Sequence, residues 1–95
     1  MTQMFNPPHP GELIKETMET LNLSARGLAK ALDVAPSTVQ RLINGKSDIS
    51  PEMAIRLSIV IGSSERVWME MQDTYDLWHA RQSIDVSKLR KLDFA

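Results

Sequence analysis

The sequence predicts an all-α domain of five short helices. Three observations lead there. Apolar residues recur at i, i+3 and i+4 in successive segments, helix-starting residues (Pro10, Ser24, Pro36, Ser50-Pro51) precede those segments, and Gly45 and Gly62 close two of them. A chain of 95 residues folds as one domain with a modest core and no room for a deep catalytic cavity.

The elements follow in order. Met1 to His9 is polar and Pro-containing, and Pro7-Pro8 and His9-Pro10 disfavour helix, so residues 1–9 read as an extended arm. Pro10 opens a first helix to about Leu21, with Ile14, Met18 and Leu21 inward and Lys15, Glu16 and Glu19 outward. Ser24 caps a second helix, Ala25 to Leu32, whose apolar face is Leu28, Ala29 and Leu32. After the connection Asp33-Val34-Ala35, Pro36 opens a third helix, because its fixed φ fits the first position and its missing N–H would be unpaired there anyway. Val39, Leu42 and Ile43 face inward, and Asn44-Gly45 ends the helix in a left-handed cap. Ser50-Pro51 starts a nearly all-apolar fourth helix (Met53, Ala54, Leu57, Val60, Ile61), expected to be the central core helix. Ser63 or Ser64 caps a fifth helix, about residues 64–82, with Trp68, Met71, Tyr75 and Trp78 along one stripe. Residues 83–95 alternate weakly (Ile84, Val86, Leu89, Leu92) and read as a short irregular or extended tail. There is no internal repeat, low-complexity tract or second domain, so residues 10–82 form the domain.

Within it, residues 24–44 are two short helices joined by a tight turn, with polar side chains heading the second. That is the layout of a helix-turn-helix that reads DNA. Ser37, Thr38, Gln40 and Arg41 fall on the outer face of the second helix. The major groove admits one helix, and there Arg reads guanine, Gln reads adenine, and Thr contributes a hydroxyl or methyl contact. The plain alternative is an amphipathic helix pair with a solvated polar face. Small Ala29 where the helices approach, Val39 packing back on the first helix, and Pro36 and Gly45 at the ends of the reader together favour the DNA reading.

The formal net charge of −1 lacks the basic excess of a nucleic-acid binder, but its distribution is uneven. From Leu23 to Lys46, Arg26, Lys30, Arg41 and Lys46 against Asp33 leave +3. From Ser63 to Gln82, Arg66 and Arg81 against Glu65, Glu70, Asp73 and Asp76 leave −2. Phosphate attraction is screened beyond ~8 Å, so the patch facing DNA outweighs the sum. Modest affinity per subunit favours a homodimer on two half-sites. The absence of cysteine excludes disulfides, Cys-zinc sites and thiol catalysis and fits a reducing cytosol. No apolar run approaches the ~20 residues that span a bilayer, and the N-terminus lacks a secretory pattern, so a cytoplasmic protein with no membrane partner is expected.

Over about residues 9 to 82 the chain resembles the HigA group of antitoxins, single-domain repressors of the lambda-repressor-like helix-turn-helix superfamily. The resemblance rests on His9-Pro10-Gly11-Glu12, Leu23-Ser24 with Leu28-Ala29, Pro36-Ser37-Thr38-Val39 with Arg41-Leu42, and Asn44-Gly45-Lys46. It continues through Met53-Ala54-Ile55-Arg56-Leu57 with Gly62, and Trp68 with Gln72, Tyr75, Asp76 and Leu77. It implies a compact five-helix lambda-repressor-like domain that neutralises a ribonuclease toxin of the HigB type and, as a homodimer, represses its own operon. It further implies that Thr38 and Arg41 contact bases, with Ser37 and Gln40 flanking them and Lys46 near the DNA backbone. Ala35 departs from the family pattern, in which Ser or Thr often caps the reading helix, a cap usually worth ~1 kcal/mol. Ala25 departs from lambda-type relatives, which often carry Gln there.

Three rival readings differ in class. An enzyme is disfavoured because His9 and His79 lie at opposite ends of the domain and no metal-ligand or paired-carboxylate spacing exists; no cofactor is expected. An orphan regulator of the same fold would lack a neighbouring toxin reading frame. A pure protein-interaction module would fail to shift a DNA duplex. The fifth helix carries the dimer expectation: Tyr75 and Trp78 at the seam, Trp68 leaning into the core, and an inverted-repeat operator with half-site centres ~10 bp apart. The toxin face is expected on the first helix and arm or on the far side of the fourth helix.

Overall fold

In a computed structural model that describes residues 6–93, five helices follow one another: α1 Pro10–Leu21, α2 Ala25–Leu32, α3 Pro36–Ile43, α4 Pro51–Val60 and α5 Glu65–Ser83. Met1 to Phe5, part of the expected arm, lie outside the described residues. The capping chemistry sets the starts. Ser24 Oγ accepts from Gly27 N–H at 3.0 Å, Ser50 Oγ from Met53 N–H at 3.1 Å, and Ser64 Oγ from Val67 N–H at 3.1 Å, each satisfying an otherwise orphan donor. Ser64 therefore caps α5, while Ser63 adopts a left-handed conformation ahead of it.

Three helices end alike. After α1, Asn22 turns left-handed and Leu23 N–H donates to the Met18 carbonyl; after α2, Asp33 does the same and Val34 N–H donates to the Ala29 carbonyl. After α3, Gly45 (φ 72°) takes that position and Lys46 N–H donates to the Arg41 carbonyl at 2.8 Å. This double-bonded ending satisfies terminal carbonyls and folds the next apolar residue back onto the helix. Leu23 and Val34 pack against the core in this way.

The core gathers Ile14 and Met18 from α1, Leu28, Ala29 and Leu32 from α2, Val39 and Leu42 from α3, Met53, Ala54 and Leu57 from α4, Trp68 from α5, and Ile49 from the loop before α4. Two of the sequence expectations are corrected. Leu21 is 62% exposed, because no element lies over the last turn of α1 and Leu23 fills the space beside Met18 instead. Val60 is exposed at the end of α4, and Ile55 and Ile59 leave that helix apolar on its outer side too, so it buries one face only. Trp68 of α5 leans into the core, where it is fully enclosed and its Nε1–H donates to the Gly62 carbonyl at 2.9 Å. The arm next to α1 is packed: Pro7 and His9 are buried, and Pro7 and Pro8 line an apolar groove with Leu13, Val67 and Met71.

His9 joins α1 to α5. Its Nδ1 accepts from Gly11 N–H at 2.9 Å and so caps α1, its ring meets the edge of Tyr75 on α5 (centroids 4.9 Å apart), and its buried Nε2 has no hydrogen-bond partner, with Asp48 of the loop after α3 3.7 Å away. Gly11 follows from the same packing. A Cβ there would collide with the Leu42 carbonyl oxygen, so α1 and the end of α3 touch backbone to side-chain-free backbone.

Candidate nucleic-acid interface

The candidate site is the outer face of α3 and its flanks. The inward pair Val39 and Leu42, 0% and 2% exposed, anchors the helix against α1 and α2 and fixes which residues point away. Ser37, Gln40 and Arg41 are all exposed, and their i, i+3 and i+4 spacing places them on one stripe. Among the described residues, none of these three side chains has a hydrogen bond or an ion pair. Asn44 continues the stripe from Gln40 and Arg41 and is exposed as well. In the sequence Asn44 marks the end of the helix, and its place four residues after Gln40 is the signal that it also joins the stripe. Thr38 stands apart: it is half-buried on the flank, a quarter turn from that stripe. Lys46 is exposed just beyond the cap, and Arg26 and Lys30 are exposed on α2.

Both ends of the helix pair are fixed by groups elsewhere in the chain. At the turn, Arg56 of α4 donates through Nη1 to the carbonyls of Leu32 (2.7 Å) and Asp33 (3.3 Å), while Nη2 pairs with Glu52 at 3.0 Å. A guanidinium on the last carbonyls of α2 also opposes the negative end of that helix dipole. At the exit, Gln72 of α5 is 2% exposed and spans the gap to the loop after α3. Its Oε1 accepts from Ile49 N–H at 2.7 Å, and its Nε2 donates to Asp48 (3.1 Å) and Asp76 (3.0 Å). Neither Arg56 nor Gln72 had a role assigned from sequence, because a contact across 23 or 24 residues leaves no periodic trace.

The start of α3 bears out the reading of Ala35. No side chain caps it, and only the backbone turn from Thr38 N–H to the Ala35 carbonyl (3.0 Å) closes that end. The N-terminal turn thus offers donors and positive dipole to whatever lies before it.

On α5, Tyr75 is half-buried between His9 and His79, whose ring centroid is 4.3 Å away, and Trp78 is half-buried with its ring edge-on to His79 at 5.1 Å. Val67, Met71, Thr74 and Trp78 follow one another at i+3 and i+4 along the side of the helix facing α1. Trp68 points inward, away from them.

The chain matches the helix-turn-helix family over residues 14–68. It is 48% identical over 90 residues to the uncharacterized HTH-type transcriptional regulator YddM of Escherichia coli K12, covering 95% of this chain and 96% of that one. It is 36% identical over 76 residues to antitoxin HigA-1 of Vibrio cholerae, covering 79% and 71% respectively. The chain belongs to the HigA-type helix-turn-helix family. The fold agrees: Pseudomonas aeruginosa antitoxin HigA, solved with the higBA promoter, superposes with a TM-score of 0.82 at 31% identity, covering 93% of this chain and 97% of that one. In HigA-type terms, the HPGE opening is a capping histidine, a first-position proline and the glycine that lets α1 touch α3. The Trp68 and Gln72 signature is a core anchor and a loop brace.

Proposed function

We propose that this chain is the antitoxin of a HigB/HigA-type toxin–antitoxin pair: as a homodimer it represses its own operon by reading an inverted-repeat operator, and it binds and neutralises a small HigB-type ribonuclease toxin. The observation that carries the DNA half is the exposed stripe of Ser37, Gln40, Arg41 and Asn44 on a helix held at both ends. Arg41 and Gln40 supply the groups that read guanine and adenine in the major groove. The uncapped first turn of α3, with Ser37 on it, suits a phosphate, and Lys46, Arg26 and Lys30 add charge that positions without specifying. Thr38, on the flank, reaches a thymine methyl or the backbone beside it. Tyr75 and Trp78 form the seam, with Trp78 the more accessible to a second copy because Tyr75 is already engaged by His9. The toxin half rests on the HigA-type relatives and uses a surface other than α3.

Competition binding on operator and scrambled duplexes tests the reader. Arg41→Ala should lose ~1–3 kcal/mol on the operator and relax preference at one base pair, whereas Lys46→Ala should weaken both duplexes alike and lower the salt slope by about one. Equal loss on both duplexes for Arg41→Ala would remove it from base reading. Co-expression with the neighbouring toxin tests the rest: the Arg41→Ala protein should still restore growth, and failure with folding intact would place the toxin on the reading face or remove the toxin. An orphan regulator is the second reading, favoured by the similarity to YddM, and it predicts no toxin-like reading frame beside the gene.

A further inference from the structure

Residues 84–93 leave α5 through an extended Ile84, make one turn at Ser87 and Lys88 closed by Leu89 N–H donating to the Val86 carbonyl at 3.0 Å, and touch no part of the core. Ile84, Val86, Leu89 and Leu92 are 57–70% exposed, which makes this the largest run of uncovered apolar side chains after the helices end. Ser87 N–H donates to the Asp85 carboxylate at 3.0 Å, which holds that carboxyl below its ordinary value, and Arg90 donates to the Ser87 and Leu89 carbonyls, so the segment has a local shape without a surface to rest on. Its middle, Lys88-Leu89-Arg90-Lys91, is strongly basic. Apolar residues interleaved with cations call for an apolar groove with acidic walls.

Such a groove of about 350 Å³ runs between the N-terminal halves of α4 and α5. Ile55 and Met69 supply apolar floor, and Glu65, Glu70 and Asp73 against Arg66 give it a net charge of −2. It lies on the α4 side of α5, away from the Met71 and Trp78 stripe, so a dimer seam on that stripe leaves it open. We propose that this groove receives the C-terminal tail of a second copy of the chain, so that the two protomers exchange tails. The inference rests on the homodimer proposed above. A two-fold axis crossing α5 near Tyr75 and Trp78 runs the two helices antiparallel, so the end of one lies beside the N-terminal half of the other. From Ser83, the nine residues to Leu92 span ~30 Å once the Val86–Leu89 turn opens on docking, enough to round a helix ~10 Å across and lie along the groove. Two copies bury two tails by symmetry, which explains why the tail is uncovered in a single chain.

The chain contains no cysteine, so engineered pairs report unambiguously. One protomer carrying only Leu89→Cys is mixed with a partner carrying only Met69→Cys, and oxidised. A disulfide between the two differently tagged chains is expected, since bridging needs Cα atoms within ~7 Å. In parallel, full-length Lys88→Glu/Lys91→Glu protein should dimerise about tenfold more weakly than wild type at low salt, and adding Asp73→Lys should restore part of the loss. A monomeric double-cysteine chain that links to itself would overturn the exchange in favour of a tail folded back on its own groove. No link together with an unchanged dimer constant would overturn tail docking while leaving the dimer standing. A wild type that is monomeric at every concentration would overturn both.

Discussion

Replacing Gln72 by leucine removes one acceptor from a place water cannot reach. Ile49 is 3% exposed, and its N–H has the Gln72 carbonyl oxygen at 2.7 Å as its partner. An unpaired buried donor costs ~1–3 kcal/mol. Leucine occupies nearly the same volume, so little cavity is created, and the exposed carboxylates of Asp48 and Asp76 regain water when they lose the amide. The expected loss is therefore ~2 kcal/mol, which for a domain of this size lowers the melting temperature by ~8–16 °C. The damage should also be local to the loop that leaves α3, so operator affinity at a temperature where the variant is fully folded should fall as well. Gln72→Glu separates the two halves of the brace. It keeps an acceptor for Ile49 but sets a carboxylate against Asp48 and Asp76, which raises its folded pKa above the unfolded ~4.3. The charge penalty is then complete at neutral pH and vanishes as pH falls below ~4.3, the reverse of ordinary acid destabilisation. Calorimetry across pH and fluorescence anisotropy on the operator measure all three. A Gln72→Leu protein melting within about 2 °C of wild type would refute the reasoning, since even the lower limit of the desolvation cost moves the midpoint by ~4 °C.

Three further outcomes are expected. Gly11→Ala drives a methyl into the Leu42 carbonyl and should destabilise by ~1–3 kcal/mol in thermal melts, with Gly11→Ser no better; a neutral Gly11→Ala would mean that α1 shifts freely. Trp68→Ala empties the core and should cost ~3–5 kcal/mol, whereas Trp78→Ala should leave the helical spectrum intact and weaken dimers in analytical ultracentrifugation; a fully dimeric Trp78→Ala protein at sub-micromolar concentration would remove Trp78 from the seam. Ala35→Ser supplies the missing cap of α3 and should raise stability by up to ~1 kcal/mol in denaturant titrations, and its effect on operator affinity reports whether a phosphate already uses those donors.

The helix starts were legible because capping is local chemistry: Ser24, Ser50 and Ser64 each announce a donor a few residues on, and Pro10, Pro36 and Pro51 fix φ without needing a neighbour. The ends were harder. Asn22 and Asp33 turn left-handed where Gly would have signalled it, and their side chains look like any surface polar residue. Leu21 shares its stripe with Ile14 and Met18, yet a stripe states only which face is apolar and not how far along the helix a neighbour extends. The outward stripe of α3 could be read from spacing, and Thr38 was placed with it because the half-buried flank depends on how α3 rolls against the rest of the core. Gln72 and Arg56 became intelligible only once the chain had brought residues more than twenty positions apart together.

His9 and Gly11 carry a consequence for how length is measured on DNA. One imidazole ties the start of α1 to the middle of α5, Gln72 ties α5 to the loop leaving α3, and the glycine beside the imidazole lets α1 rest on the Leu42 carbonyl near the end of the reading helix. With those points fastened, α3 cannot tilt while the rest of the protomer stays still. In the proposed dimer each protomer therefore meets its half-site as a rigid block. One inserted base pair turns a half-site by ~35° and moves it by ~3.4 Å, a change that a hinged reader would absorb and this one leaves to the twisting and bending of the duplex. The spacer between half-sites is then selected for its stiffness and phase, although no side chain touches it.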